Sequence, residues 1–165
     1  VTVLGAAAYS YDTATLAYTF GALGSAQAKF DIFTVAVSAE VTNQTVGNPG
    51  YGVGGSFGAN VTDGVAINVG GKWFRNGAGE DTAHGAAQIV ASVTETIKLT
   101  GEVGVWYGSH SQAQAGAPAP TSVYYGAAEV AWTPGGANNF SSSLKGEVYS
   151  NGAYKATFKA SKAFQ

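Results

Sequence analysis

Ile97-Lys98-Leu99-Thr100-Gly101-Glu102-Val103-Gly104-Val105-Trp106-Tyr107 is the stretch that decides the fold. Ile97, Leu99, Val103, Val105 and Tyr107 fall on one side of a period-two pattern, and Lys98, Thr100, Glu102 and Trp106 fall on the other. Successive side chains of a strand point to opposite faces, so this pattern predicts a β-strand with one apolar and one polar face. Its length is close to the roughly 9 to 11 residues that a tilted strand needs to cross a bilayer, and exceeds the usual strand of about 5 to 6 residues.

The same pattern recurs from end to end. Ten alternating segments run over residues 2–11, 13–20, 28–42, 51–61, 65–75, 86–94, 97–108, 122–133, 140–149 and 153–164. Tight turns are predicted at Tyr11-Asp12-Thr13, Thr62-Asp63-Gly64, Thr94-Glu95-Thr96 and Asn151-Gly152, where Asp-Gly and Asn-Gly supply the positive φ of two-residue hairpins. Longer connections are expected at Asn43 to Gly50, Asn76 to His84 and Ser109 to Thr121. Through the middle of the chain long and short connections alternate, the habit of membrane barrels with short periplasmic turns and longer outer loops. Both termini are therefore expected on the periplasmic side.

Composition narrows the surroundings. Only 11% of the 165 residues are charged, against about 25% in an average soluble protein. No run approaches the ~18 apolar residues of a spanning helix, so a helical membrane protein is excluded. Disorder is excluded by low net charge (−2) combined with 12% aromatic residues. Eight Lys and Arg against ten Asp and Glu, with no basic run, remove nucleic acid as a partner. Cysteine is absent, and with it any disulfide or thiolate metal site.

The position of the charges carries the argument further, because a lipid-facing charge at the bilayer midplane costs about 2 to 4 kcal/mol. Glu40, Lys72, Lys98, Glu102, Glu129, Lys145, Glu147, Lys155 and Lys159 all fall on the polar face of their segments, joined by Asn60 and Asn68; Lys162 is the exception, near an end where it snorkels. These are the candidate pore-lining residues. Tyr9, Tyr51, Trp73, Tyr107, Tyr124 and Tyr154 are expected outward at the extracellular ends of their strands, and Phe20, Trp132, Phe140 and Phe164 outward at the periplasmic ends, as two interfacial belts. A soluble sandwich would show the same alternation, but not a polar face as poor in charge as Gly52, Gly54, Ser56, Gly58 and Asn60.

The expected fold is an all-β, antiparallel, up-and-down transmembrane barrel with ten strands visible, a single domain over residues 1–165, closed alone or forming part of a wider barrel. With so much Gly, Ala, Ser and Thr on the inner face, the interior is expected to leave room for water. The expected function is a non-enzymatic, weakly charge-selective channel. The alternatives are an envelope barrel that anchors without conducting and a small barrel holding an apolar ligand. Glu80, Asp81 and His84 are read as a solvated polar loop, His110 likewise; no nucleophile, metal or phosphate-binding motif is present, and no cofactor is expected.

The last segment, Tyr154-Lys155-Ala156-Thr157-Phe158-Lys159-Ala160-Ser161-Lys162-Ala163-Phe164, resembles the closing strand of bacterial outer-membrane proteins, which ends in an aromatic residue; here Gln165 follows it. The small-residue-rich strands with Thr-Asp-Gly-Val and Thr-Glu-Thr-Ile turns are similar in style to the barrel portion of S-layer-like outer-membrane proteins of the Deinococcus-Thermus group. That resemblance implies a trimeric, porin-like envelope protein in contact with outer-membrane lipid and with other envelope proteins. Outward small residues Gly55, Ala87, Ala91, Gly101, Gly126, Ala128, Gly146 and Ala156 either allow subunits to pack closely or simply give a thin lipid-facing strand surface.

Overall fold

A computed structural model describes residues 1–45, 47–108, 121–134 and 140–162. Ten strands follow one another: β1 Thr2–Asp12, β2 Ala17–Lys29, β3 Phe33–Gln44, β4 Gly50–Thr62, β5 Val65–Arg75, β6 Asp81–Ser92, β7 Ile97–Tyr107, β8 Ser122–Trp132, β9 Phe140–Tyr149 and β10 Tyr154–Lys162. Every strand is antiparallel to its sequence neighbour, in the order β1 to β10 with no crossover. This is the all-β, up-and-down barrel architecture that the alternation predicts. Among the described residues no ladder joins β1 to β10.

Turn chemistry fixes the hairpins. Asp63-Gly64, with Gly64 at φ 86°, closes the β4–β5 pair in two residues. Between β9 and β10, Gly152 takes φ 86° while the Asn151 side chain accepts a hydrogen bond from the Ala153 amide at 3.1 Å. Thr94 Oγ1 accepts from the Ile97 amide at 2.9 Å, and Asn76 Oδ1 accepts from the Glu80 amide at 2.9 Å. Following the chain, the β1–β2, β3–β4, β5–β6, β7–β8 and β9–β10 connections share one end of the barrel, here the loop end.

Three expectations about elements are corrected. The second strand runs to Lys29 and does not stop at residue 20, and the third begins at Phe33 and not at 28. Between them lies a tight turn, across which the Phe30 and Phe33 rings stack with centroids 4.4 Å apart. The sixth strand begins at Asp81, so the long connection after Asn76 ends at Glu80. Asp81 is drawn into the ladder by Arg75 directly opposite, whose Nε and Nη2 donate to the two carboxylate oxygens at 2.9 and 2.7 Å.

Register assigns every side chain to a face, since directly opposed residues share one. On one face, Val37, Gly55, Gly71, Gly85, Val105 and Tyr124 make a continuous row. Its large members are open to the surroundings: Val103 is 62% exposed, Leu144 57% and Phe158 70%. On the other face side chains meet across strands that are not neighbours, as His84 of β6 meets Tyr125 of β8, and there Val123, Tyr125 and Tyr149 are buried together. The apolar face is thus the convex outside and the polar face the concave inside.

Tyr9, Tyr51, Trp73, Tyr107, Tyr124 and Tyr154 all sit on the outer face toward the loop end, and Trp132 and Phe140 meet edge to face at the opposite end, 5.9 Å apart. Phe20 is displaced from its expected end. Because β2 starts at Ala17, Phe20 lies opposite Tyr9 at the loop end. Lys162 is on the outer face as expected, paired in register with Phe140, but it is not alone: Arg75 and Asp81 are also outward, and neutralise one another at the rim beside Trp73. Phe164, His110 and most of the Ser109 to Thr121 connection lie outside the described residues.

Candidate functional site

The inner face carries nearly all of the charge in the strands. Register places Glu40, Asn60, Asn68, Lys72, Lys98, Glu102, Glu129, Lys145, Glu147, Lys155 and Lys159 there together. It adds two more: Asp12, expected in a turn but part of β1, and Lys29, expected in the third segment but part of β2. Six lysines therefore face five carboxylates.

A hydrogen-bonded chain crosses four strands at mid-height. Asn68 Nδ2 donates to Gln88 Oε1 at 3.3 Å, and Gln88 Nε2 donates to Glu102 Oε2 at 3.0 Å. Tyr125 Oη donates to the second oxygen, Glu102 Oε1, at 2.7 Å. His84 Nε2 stands 2.9 Å from the same phenol oxygen. With that hydroxyl proton directed at Glu102, Nε2 is the nitrogen that donates to the phenol oxygen. The His84 ring stacks on Trp106 at 3.6 Å between centroids and 11° between planes.

Toward β10 the charges pair. Glu147 lies between two lysines, with Lys145 Nζ at 3.2 Å and Lys155 Nζ at 3.8 Å. Glu129 stands directly opposite Lys145. These groups share with Trp106 and Tyr125 a cavity of about 330 Å³ on the inner wall of β6 to β10. A second recess, near the loop end, lies between Thr42, Gly50, Phe74 and Gly77.

Two expectations about the interior change here. His84 is a strand residue inside the barrel, not a solvated loop residue, because β6 begins three positions before it. The inner face is also not uniformly small. Several glycines make room for a neighbouring large side chain and do not leave open space. A Cβ on Gly52 would come within 2.8 Å of the Phe74 ring, and one on Gly104 within 2.5 Å of Tyr125 Cε1. His84, Gln88, Trp106, Tyr125 and Tyr149 are inner-face residues missed among the candidates. The missed signal for Tyr125 was a large side chain on the polar face, cross-strand from Gly104, which is visible once the register is known. Among the described residues no group of three or more His, Asp or Glu is placed to hold a metal.

No protein-family model matches this sequence, and no curated protein matches it. Solved structures share its architecture. The KdgM porin, and the KdgM porin in complex with disordered oligogalacturonate, are each similar over 99% of this chain and 92% of that chain, with a TM-score of 0.58 and 11% identity. At that identity the likeness is one of fold, and the fold is a β-barrel.

Proposed function

We propose that the chain is a porin-like, non-enzymatic channel of a bacterial outer membrane, passing ions and small solutes by passive diffusion. The observation that carries this is the inside-out distribution of polarity: the exposed convex face is Val, Leu, Phe, Tyr and small residues, while eleven charged side chains of the strands turn inward. A soluble barrel needs the reverse. Lipid is the solvent that accepts such an exterior, and the aromatic rings near both ends suit its interfaces. The loop end then faces outside the cell and both termini face the periplasm. The architecture shared with the KdgM porin supports the same reading.

The inner charges nearly cancel, so a solute meets local fields of mixed sign and little net potential. An acidic oligosaccharide of the kind in the KdgM complex has no one-signed track to follow here. The test is single-channel recording of the detergent-purified protein in a planar bilayer. Stepwise conductance is expected, with a reversal potential near zero in a KCl gradient. A protein that remains soluble and monomeric without detergent overturns the membrane reading.

A second reading has its own support. Val123, Tyr125 and Tyr149 are buried against one another on the inner face, packing that suits a barrel serving as an envelope anchor of the S-layer-like kind. Bilayer insertion without conductance is the result that would establish it.

A further inference from the structure

We infer that the cavity on the inner wall of β6 to β10 is a subsite for a small zwitterion of the dipeptide kind, carrying one ammonium and one carboxylate at opposite ends. The inference deepens the channel reading and rests on it for its physiological role. Three carboxylates, Glu102, Glu129 and Glu147, and three ammonium groups, Lys145, Lys155 and Lys159, line this one space. A monovalent ion there meets as much repulsion as attraction, whereas a solute with both charges gains from both.

The six groups are not equally engaged. Both oxygens of Glu102 already accept hydrogen bonds, and Glu147 is held between two lysines with its side chain only 12% exposed. Lys155 is the looser partner, at 3.8 Å and 55% exposed. Lys155 and Lys159 both project from β10, four residues apart on the same face, and Glu129 projects from β8. A carboxylate therefore finds its site beside β10, and an ammonium finds its site beside β8. One strand, β9, lies between them, and both lysines are offset from Glu129 by two residues along the strand, so the separation is roughly 12 Å at the backbone and less where the side chains converge. That gap matches a solute bearing its two charges at opposite ends. Trp106 and Tyr125 close the cavity on the β6 side and give an optical reporter.

The sequence has three tryptophans. With Trp73 and Trp132 changed to Phe, the fluorescence of Trp106 is titrated in detergent with glycylglycine, with N-acetylglycine as the anion and with glycinamide as the cation, at constant ionic strength. Glycylglycine is expected to half-saturate at about fivefold lower concentration than either, the worth of one additional exposed ion pair. Glu129→Gln should remove its advantage over N-acetylglycine, and Lys159→Gln its advantage over glycinamide. Three indistinguishable titrations, an unmoved Trp106 signal, or equal competition by maltose would each overturn the inference. Conductance in plain KCl, recorded separately, distinguishes the failures. A conducting channel with a silent Trp106 defeats the subsite alone, and a glycylglycine-binding protein that does not conduct defeats the channel reading alone.

Discussion

Gly104 sits on the inner face of β7, opposite Tyr125 of β8, and its missing side chain leaves the room that the ring occupies. A Cβ there would stand 2.5 Å from Tyr125 Cε1 and 2.7 Å from the Gly85 carbonyl oxygen, so both a side chain and the backbone resist it. Overpacking of this sort costs about 1 to 3 kcal/mol. Gly104→Ala should lose that much, read from the urea midpoint of folding into lipid vesicles. Gly126→Ala is the control, because a Cβ there meets nothing within 4 Å, and its effect should stay within about 0.5 kcal/mol. Equal losses at the two positions would remove the packing argument. The glycine content was legible in the sequence, but its purpose was not. Whether a glycine opens space or admits a neighbour depends on which residue lies across from it, and only register supplies that.

Strands differ in how plainly they announce themselves, and the reason is chemical. β7 and β5 alternate Val, Ile or Leu with Lys, Asn or Glu, so their limits and faces follow from the residues alone. In the middle of β2 the run Gly21-Ala22-Leu23-Gly24-Ser25-Ala26 has almost no contrast between faces, and its one large residue, Leu23, points inward opposite Glu40. The start of β6, Asp81-Thr82-Ala83-His84, reads as a polar loop until the Arg75 pairing across from it is known. Where contrast is strong, the assignment of faces can be tested directly. Val103 is an outer-face residue near the middle of β7, and Thr100 of the same strand faces inward opposite Glu129. Val103→Arg should cost about 2 to 4 kcal/mol in the free energy of folding into vesicles, and Thr100→Arg under about 1 kcal/mol. If the inward substitution proves the costlier, the faces have been assigned the wrong way round.

Around the whole barrel, one row of the inner face runs Leu4, Ser25, Ser38, Gly54, Lys72, His84, Trp106 and Val123, from β1 to β8. Along it small side chains on β2 to β4 give way to large ones on β6 to β8, so the interior is lopsided. Side chains leave more room beside β2 to β4, while the β6 to β8 wall is packed; Val123 is only 2% exposed. A permeation path should therefore run off-centre, against the Gly, Ala and Ser wall. Because the chain has no cysteine, single substitutions report position without background. Ser38→Cys should react with a water-soluble methanethiosulfonate reagent, and the charged adduct should reduce conductance. Val123→Cys, in the same row, should react roughly tenfold or more slowly, because its sulfur is reached only when the packed wall opens. Comparable rates at both positions would mean that the interior is hydrated on all sides, and the off-centre path would give way to a central one.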